Sequence, residues 1–337
     1  MANSNELPAI DCVIIGINSE HTLADCINSL KAADYPQTKI NIIYVDGGST
    51  DNSIAVAKSF TDVQTIALNP EYPTPGLGRN VGWRAGDAPL VHFFDSDVIV
   101  AETWLKSAVK EIKTGIGAVS GRLQERFPDV SAYNWIAEQE WNYPAGEAQA
   151  FGGIAMLRRE LLEQTGGYDE ILVGGEDPEL AVRARLSGWK ILHVTDLMAY
   201  HDIAMTRLSQ YWKRTFRTGY AYAAVTSRHW KNDRGFWMHE LFRITVRGGG
   251  FIFAIPLAIG LSVISLWFFL LPLASALLLF FPRLFRVAYF MQDKSMNLKQ
   301  ARLYAWHCSL IVIPEFCGAL RYFIGTALFR KPLRNHR

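Results

Sequence analysis

The stretch LVHFFDSD, residues 90–97, is an apolar run that ends in two carboxylates one residue apart. A strand formed by this run would present Asp95 and Asp97 at the carboxyl edge of its sheet, where open α/β sheets bind ligands. Two carboxylates held this close repel each other unless a cation lies between them. A hard divalent ion fits such a pair and takes substrate phosphates as further ligands. The pair therefore predicts a metal–diphosphate site, although Asp and Ser are also ordinary turn residues.

Strand and helix patterns alternate around this stretch. Short β-branched or apolar runs occur at residues 12–17, 40–45, 63–68 and 190–194, and helical spacing occurs at 22–30, 78–84 and 180–186. Strands that alternate with helices imply βαβ units. The sequence therefore predicts an α/β fold with a mainly parallel sheet. The segment 122–150 is less regular and rich in aromatic residues, and the sequence assigns it no element.

Further polar residues lie where the same sheet edge would collect them. Asp46 ends the run 40–45, so we expect it to face the crevice of Asp95 from the neighbouring strand. Arg79 opens a helical segment and is a fork-shaped donor suited to a phosphate or a base edge, or else an exposed helix arginine. Glu176 and Asp177 follow two glycines and begin a helix. There Asp177 would act either as a helix cap or as a general base.

His201 follows the predicted last strand by several residues. A neutral imidazole can join carboxylates on Mn²⁺ or Mg²⁺, and it suits Mn²⁺ better. The alternative is a surface histidine or one satisfied in the core.

The C-terminal third differs in charge and hydropathy. The net charge of +2 hides an excess of Arg and Lys after about position 205, where the basic residues flank apolar segments. Nucleic acid would require a basic and polar surface. Membrane lipids are therefore the expected partner, and nucleic acid is not.

No residue between Gly248 and Phe281 carries a charge, and arginines flank this stretch on both sides. A spanning helix needs roughly 20 apolar residues, and cytoplasmic loops carry an excess of Lys and Arg. We therefore expect a helical hairpin with both ends in the cytoplasm; the alternative is a buried helix pair of a soluble domain. The segment 305–328 contains His307, Glu315 and Arg321, which favours a helix at the membrane interface or packed under the catalytic domain.

The N-terminus lacks a basic start and an apolar signal core, so the first domain is expected in the cytoplasm. We expect four parts: a catalytic domain at residues 1–205, a basic aromatic amphipathic connector at 206–243, a membrane hairpin at 244–290, and an interfacial helix with a basic tail at 291–337.

The order of these motifs resembles the family 2 glycosyltransferases of the A-type fold. The matching segments are IIGIN (14–18), VDGGSTD (45–51), GRNVG (78–82), FFDSD (93–97), the Phe151–Gly153 segment, GGYDE (166–170), and Glu176-Asp177 with Arg183. The resemblance covers roughly residues 8–205. It implies a Rossmann-like nucleotide-diphospho-sugar transferase fold, a nucleotide-diphosphate sugar as donor, with a UDP-sugar favoured, and an inverting transfer.

The resemblance also implies roles for individual residues. Donor binding is expected from Asn18, Asp46, Arg79 and Asp95. Asp97 is expected to bind Mn²⁺ or Mg²⁺ directly, with Asp95 on the ribose or on waters of the metal, and the imidazole of His201 joins this metal set on chemical grounds. Asp177 would deprotonate the acceptor hydroxyl, near Glu176 and Gly153. Apart from the resemblance, we expect Trp135, Trp141 and Tyr143 to form an acceptor platform, because sugars stack on aromatic faces; the alternative is that they are packing residues.

Two departures from the family pattern bear on function. The first strand ends in Gly16-Ile17-Asn18 instead of Pro-Thr-Tyr-Asn, which weakens Asn18 as a nucleoside contact. The Gln-x-x-Arg-Trp element of the processive synthases is replaced by QYWKR at residues 210–214, so we expect addition of single sugars. The basic aromatic stretch 207–222 would either close over the diphosphate or rest on lipid headgroups.

The expected function is therefore a metal-dependent, non-processive, inverting glycosyltransferase, with its catalytic domain on the cytoplasmic side of the inner membrane. Its acceptor would be a lipid-linked or envelope glycan. Two alternatives stay open: sugar transfer to polyprenyl phosphate, and a catalytically silent nucleotide-binding scaffold at the membrane.

Overall fold

The computed structural model describes residues 7–141, 143–233 and 235–326. The chain divides into two compact units, with the boundary between Thr206 and Arg207. The first unit is an α/β domain, and the second is helical.

Nine strands of the first unit form one sheet. They are β1 (Ile10–Gly16), β2 (Ile40–Asp46), β3 (Val63–Ala67), β4 (Leu90–Asp95), β5 (Val98–Val100), β6 (Ile116–Glu125), β7 (Gly146–Ala148), β8 (Ala155–Arg158) and β9 (Lys190–His201). The order is β3-β2-β1-β4-β8-β6-β9-β5, and β7 pairs with β9. The first four strands in this order are mutually parallel, whereas β8, β5 and β7 pair antiparallel with their neighbours. The α/β prediction is confirmed, with a mixed sheet.

Helices cover both faces of the sheet because successive side chains of a buried strand point to opposite faces. On β1, Cys12 and Ile14 enter one core with residues of α1 and α4, and Val13 enters the other with residues of α3, α6 and α7. The helices of this unit are α1 (Leu23–Lys31), α2 (Ser53–Lys58), α3 (Pro75–Ala85), α4 (Trp104–Glu111), α5 (Ala132–Glu140), α6 (Arg159–Thr165) and α7 (Glu176–Leu186).

Two sequence expectations need correction, and a segment left unassigned is now defined. Strand β9 continues to His201, so this histidine ends the strand instead of following it at a distance. The segment 122–150 contains the end of β6, helix α5 and strand β7. Finally, β1 lies between β2 and β4, so Asp46 and Asp95 are two strands apart and not on neighbouring strands. The reason is that adjacency along the chain does not fix adjacency in a sheet with crossovers.

The second unit consists of helices. They are α8 (Leu208–His229), α9 (Met238–Ile244), α10 (Gly250–Leu261), α11 (Leu271–Leu284), α12 (Val287–Asp293), α13 (Leu298–Leu310) and α14 (Val312–Ile324). A π-helical turn, Thr245–Gly249, joins α9 to α10. Three continuous helical stretches among the described residues are long and apolar enough to cross a membrane: Met238–Leu261, Leu266–Asp293 and Leu298–Ile324.

The third of these stretches covers much of the segment that we expected at the interface because of its polar residues. Glu315 is buried and pairs with Arg243 at 3.1 Å, and His307 is buried 2.8 Å from the Tyr211 hydroxyl. These two groups are therefore satisfied within the protein and do not require a polar interface. Residues from 327 onward, including the basic tail, lie outside the described residues.

Candidate active site

Asp95, Asp97 and His201 converge at the carboxyl edge of the sheet. Strand β5 pairs antiparallel with β9 so that Val98 lies opposite His201, which brings the preceding Asp97 to the imidazole. The Asp97 Oδ1 atom lies 3.2 Å from His201 Nε2. One ligand atom from each of the three residues lies within 4.8 Å of the others. The sequence separated these residues by more than a hundred positions, and the fold brings them together.

The chemistry of this trio fits a divalent cation. Two carboxylates and an imidazole are a ligand set typical of Mn²⁺ or Mg²⁺ with phosphate oxygens as further ligands. Asp97 Oδ1 is buried and accepts no hydrogen bond from a described residue. Burial raises the pKa of Asp95, Arg79 opposes that shift, and the neighbouring Asp97 adds to it. A bound cation would relieve this repulsion.

Arg79 lies at the centre of a second cluster of carboxylates. Helix α3 positions it: Pro75 occupies the first turn, and the Thr74 hydroxyl caps the helix by accepting from the Leu77 amide. The buried guanidinium contacts Glu176 at 2.7 Å, Asp95 at 3.1 Å and Asp177 at 3.3 Å. Its face also lies 5.5 Å from the centre of the Tyr168 ring.

This arrangement excludes one of the two expectations for Arg79. The side chain is buried and is not an exposed helix arginine; its Nη1 and Nη2 atoms face the carboxylates, whereas Nε has no hydrogen-bond partner among the described residues. Contact with the donor stays a prediction. Arg79 links the metal-binding edge of the sheet, through Asp95, to the start of α7.

Gly153 completes the pocket around Arg79. Its carbonyl accepts from Arg79 at 3.5 Å. A Cβ atom at position 153 would lie 2.5 Å from Arg79 Nη2 and 3.2 Å from an Asp95 carboxylate oxygen. A side chain at position 153 would therefore displace the Arg79 guanidinium, so Gly153 has a packing role beside the carboxylates.

Asp177 lies buried beside two other carboxylates and Arg79. It lies in the first turn of α7, which begins at Glu176. Its Oδ1 atom is buried without a hydrogen bond from a described residue, and its side chain retains 13% exposure. Burial raises the pKa of Asp177 well above the ordinary value; Arg79 opposes this shift, and Glu176 and Asp95 reinforce it. A carboxylate with a raised pKa is a better proton acceptor at neutral pH.

Asn18 and Asp46 form a separate set of loop contacts at the ends of β1 and β2. Asp46 is fully buried and accepts from the Tyr44 and Ser49 hydroxyls and from the Gly48 and Ser49 amides. A carboxylate offers about four lone-pair sites, so these donors occupy them all. Asp46 therefore holds the conformation of the loop 47–49. Its contact with a nucleobase stays a prediction, and the hydrogen bonds to the loop disfavour it.

Asn18 links the loop after β1 to the loop after β2. Its backbone is left-handed, with φ of 55°, and its side-chain oxygen accepts from the Thr50 amide at 2.8 Å. The Asn18 amide in turn donates to the Ser49 hydroxyl. Asparagine tolerates this backbone region better than most residues, which explains the residue type without a nucleoside contact.

The two tryptophans differ in position. Trp141 packs edge-on against His201, with ring centres 5.0 Å apart, and so borders the metal site. Trp135 lies half-buried on α5. The structure therefore associates Trp141 with the site, whereas a platform role for Trp135 stays a prediction.

Sequence reasoning did not identify two supporting groups. The Ser19 and Ser96 hydroxyls lie 2.6 Å apart and connect the loop after β1 to the loop that carries Asp95 and Asp97. Glu125 is buried at the end of β6 and accepts from the Ile203 amide, which holds the chain just after His201. Ser96 lies between Asp95 and Asp97, so its place in the site could have been predicted from the sequence. No sequence pattern around Glu125 indicates its role.

Comparisons with known proteins agree with this geometry. Residues 11–166 match the model of the family described as glycosyl transferase family 2. Residues 135–207 match a second model, described as the N-terminal domain of galactosyltransferase. Together the two models cover all of the clustered residues described above.

Two curated relatives illustrate the similarity. Glycosyltransferase AglE of Haloferax volcanii is 23% identical over 240 residues, which are 68% of this chain and 77% of the relative. The poly(ribitol-phosphate) β-N-acetylglucosaminyltransferase TarS of Staphylococcus aureus is 26% identical over 202 residues, 55% of this chain. This chain spans only 34% of TarS.

Two solved structures share the fold. The mannosyltransferase PcManGT of Pyrobaculum calidifontis, in complex with GDP-Man and Mn²⁺, has a TM-score of 0.61 at 17% identity, covering 95% of this chain and 88% of that one. Residues 1–349 of S. aureus TarS, in complex with UDP-GlcNAc, have a TM-score of 0.56 at 15% identity, covering 94% and 92%. The predicted nucleotide-sugar transferase fold is confirmed.

Proposed function

We propose that this chain, a member of the family 2 glycosyltransferases, adds single sugars, with inversion, to a hydroxyl of a lipid-linked or envelope glycan. The observation that carries this proposal is that Arg79 joins Asp177, a base candidate with a raised pKa, to Asp95 of the metal-type cluster. Such a transfer requires a base for the acceptor hydroxyl and a site for the donor diphosphate. Here one guanidinium contacts a candidate for each.

The donor is a nucleotide-diphosphate sugar. Asp95, Asp97 and His201 would hold Mn²⁺ or Mg²⁺, and the ion would stabilise negative charge on the departing nucleoside diphosphate. The solved neighbours support this class of donor, since one contains GDP-Man with Mn²⁺ and another UDP-GlcNAc. We favour a UDP-sugar, with a GDP-sugar as the next donor to test.

In this proposal the residues around Arg79 carry the proton transfer. Asp177 accepts the proton of the acceptor hydroxyl, and the hydroxyl oxygen forms a bond to the anomeric carbon. The bond from that carbon to the diphosphate oxygen breaks on the opposite face, and its electron pair leaves with the diphosphate. Arg79 is a positioning residue, because it orients both Asp177 and Asp95 without contacting the reacting atoms.

The helical unit supports the proposed lipid-linked acceptor and the proposed location at a membrane. Its three long apolar helices support association with a membrane. Such an anchor would favour acceptors that are themselves attached to lipid. We propose that the catalytic unit faces the cytoplasm, on the strength of the arginines that flank the first apolar stretch at both ends.

Asp177→Asn tests the assignment of the base. General-base catalysis contributes typically about 10²–10⁴-fold to rate. We expect hydrolysis of UDP-GlcNAc or GDP-Man, with water as acceptor, to fall by about that factor. Nucleotide affinity should stay within about twofold, because the base contacts the acceptor and not the nucleotide. Asp62→Asn, which removes an exposed acid, is the matched control and should leave the rate unchanged.

Transfer to undecaprenyl phosphate supplies a second arm of the same experiment. An acceptor phosphate is already anionic and has little need of a base. If Asp177→Asn slows hydrolysis but not this transfer, polyprenyl phosphate is the acceptor class. If the variant slows neither reaction, Asp177 is not the base. Nucleotide binding by the wild type without turnover of any donor would instead support the scaffold alternative.

A further inference from the structure

Arg247 has an unusual anchorage within the helical unit. It lies in the π-helical turn Thr245–Gly249, and its guanidinium donates to the carbonyls of Leu279 at 2.6 Å and Leu278 at 3.4 Å. Pro282 follows Leu278 by four residues within α11 and has no N–H to donate. Arg247 therefore supplies a donor to a carbonyl that the proline leaves without its helical partner.

Two more arginines follow on the same side of α11. Arg283 lies four residues after Leu279, about 6 Å further along the axis, and therefore on the face that Arg247 contacts. Arg286 lies one turn beyond, with its amide bonded to the Arg283 carbonyl at 3.0 Å. We call Arg247, Arg283 and Arg286 the arginine triad. Arg247 and Arg283 are half-buried, and Arg286 is exposed.

Among the described residues, the triad has no compensating acid. The nearby Arg243 is held by Glu240 at 2.9 Å and by the buried Glu315 at 3.1 Å. Within the described part of the chain, no carboxylate lies at ion-pair distance from the three members of the triad. Arginines without an acidic partner at the ends of apolar helices are available to anionic lipid headgroups, and π-helical turns are frequent at functional sites.

The surroundings of the triad indicate an amphiphilic ligand. Leu277, Phe281 and Leu284 of α11 are all about half exposed, so apolar surface continues from the triad along the helix. Guanidinium groups match phosphate oxygens in geometry and charge, and basic pockets between membrane helices bind lipid headgroups. We propose that the arginine triad binds the phosphate of an anionic membrane lipid, whose acyl chains lie along the apolar surface of α11.

Native mass spectrometry of the full-length protein in neutral detergent tests this site. The probe is dioleoyl phosphatidylglycerol, compared with dioleoyl phosphatidylcholine and with inorganic phosphate. A juxtamembrane cation contributes about fivefold to the binding of anionic lipid. We therefore expect the double variant Arg283→Gln/Arg286→Gln to bind phosphatidylglycerol about 10- to 30-fold more weakly. The variant Arg283→Lys/Arg286→Lys should recover most of the affinity.

The control removes the same charge elsewhere in the unit. Lys299 and Arg302 are exposed on α13, and Lys299→Gln/Arg302→Gln should bind phosphatidylglycerol as the wild type does. Should the double variant fail to fold, Arg286→Gln alone changes one exposed side chain and should weaken binding about fivefold.

Three results would overturn the proposal. They are an equal loss of affinity in the control pair, unchanged affinity in the Arg283→Gln/Arg286→Gln variant, and wild-type binding of phosphatidylcholine or of inorganic phosphate as tight as that of phosphatidylglycerol. The measurement does not depend on sugar transfer, so its failure would leave the proposed function standing.

Discussion

Arg79 is the residue on which the catalytic cluster depends. Its side chain is 3% exposed and compensates Asp95, Glu176 and Asp177. Removing one partner of a buried ion pair typically costs about 3–5 kcal/mol, because the remaining charges stay buried and uncompensated. The Arg79 guanidinium therefore both stabilises the folded protein and positions the three carboxylates.

We predict that Arg79→Gln lowers the free energy of unfolding by about 3–5 kcal/mol, measured by urea unfolding of the full-length protein. Arg84 lies on the same helix, and its pair with Glu170 has 48% and 42% exposed side chains. Arg84→Gln should therefore cost at most about 1 kcal/mol. Equal effects of the two substitutions would mean that the Arg79 cluster is not an electrostatic unit.

At this scale the sequence identified most of the clustered residues but not their partners. Asp95, Asp97 and His201 were expected together and lie together. The contact of Arg79 with carboxylates was not expected, because a motif shows which residues are present and not which way a helix directs a side chain. Asp46 shows the same limit, since its four donors come from a loop whose conformation the sequence does not specify.

Among the elements, the crossing of α8 and α14 depends most strongly on residue size. A Cβ atom at Gly219 would lie 1.7 Å from the Glu315 carbonyl oxygen, and one at Gly318 would lie 1.9 Å from the Phe216 carbonyl oxygen. The two glycines therefore let the helix backbones touch. Small residues at such crossings are typical of helices that pack in membranes.

We predict that Gly219→Ala and Gly318→Ala each destabilise the helical unit by about 1–3 kcal/mol or more, because the helices must move apart. The thermal unfolding midpoint in detergent would fall accordingly. Gly260 lies in α10 with no atom within 4 Å of its Cβ position. Gly260→Ala should therefore leave the midpoint unchanged or raise it. An equal fall in all three variants would contradict a crossing set by close approach.

The elements of the first unit were largely predictable from periodicity, and the exceptions have physical causes. Strand β9 was expected to end near residue 194, because Thr195 and Asp196 interrupt the apolar run. Pairing with β6 and then β5 carries it to His201 with irregular register. Helix α5 was missed because the aromatic residues around it obscure the helical period.

For the whole molecule, the open question is how many of the three apolar helical stretches cross the membrane. Within an apolar 18-residue window of each stretch, 28% of the residues are buried in Met238–Leu261, 6% in Leu266–Asp293 and 56% in Leu298–Ile324. A window that is more than half buried in the protein has less surface for lipid. We therefore retain the hairpin of two spans, with the third stretch packed within the helical unit.

Topology reporters test this arrangement. A reporter inserted at residues 262–265, between the first two stretches, should read outside the cytoplasm. One fused to the C-terminus should read cytoplasmic, because two crossings return the chain to its starting side. A C-terminal reporter outside the cytoplasm would show three crossings and refute the hairpin.

The central claim, that Asp95, Asp97 and His201 form a metal site for a nucleotide-sugar donor, is tested most directly by turnover of purified full-length protein. Nucleotide release from UDP-GlcNAc, UDP-glucose and GDP-Man would be measured after metal removal and with Mn²⁺ or Mg²⁺ restored. We predict turnover of at least one donor only with added metal, a loss of about 100-fold or more in Asp97→Asn, and none in Asp62→Asn. Full turnover without metal, or in Asp97→Asn, would contradict the account.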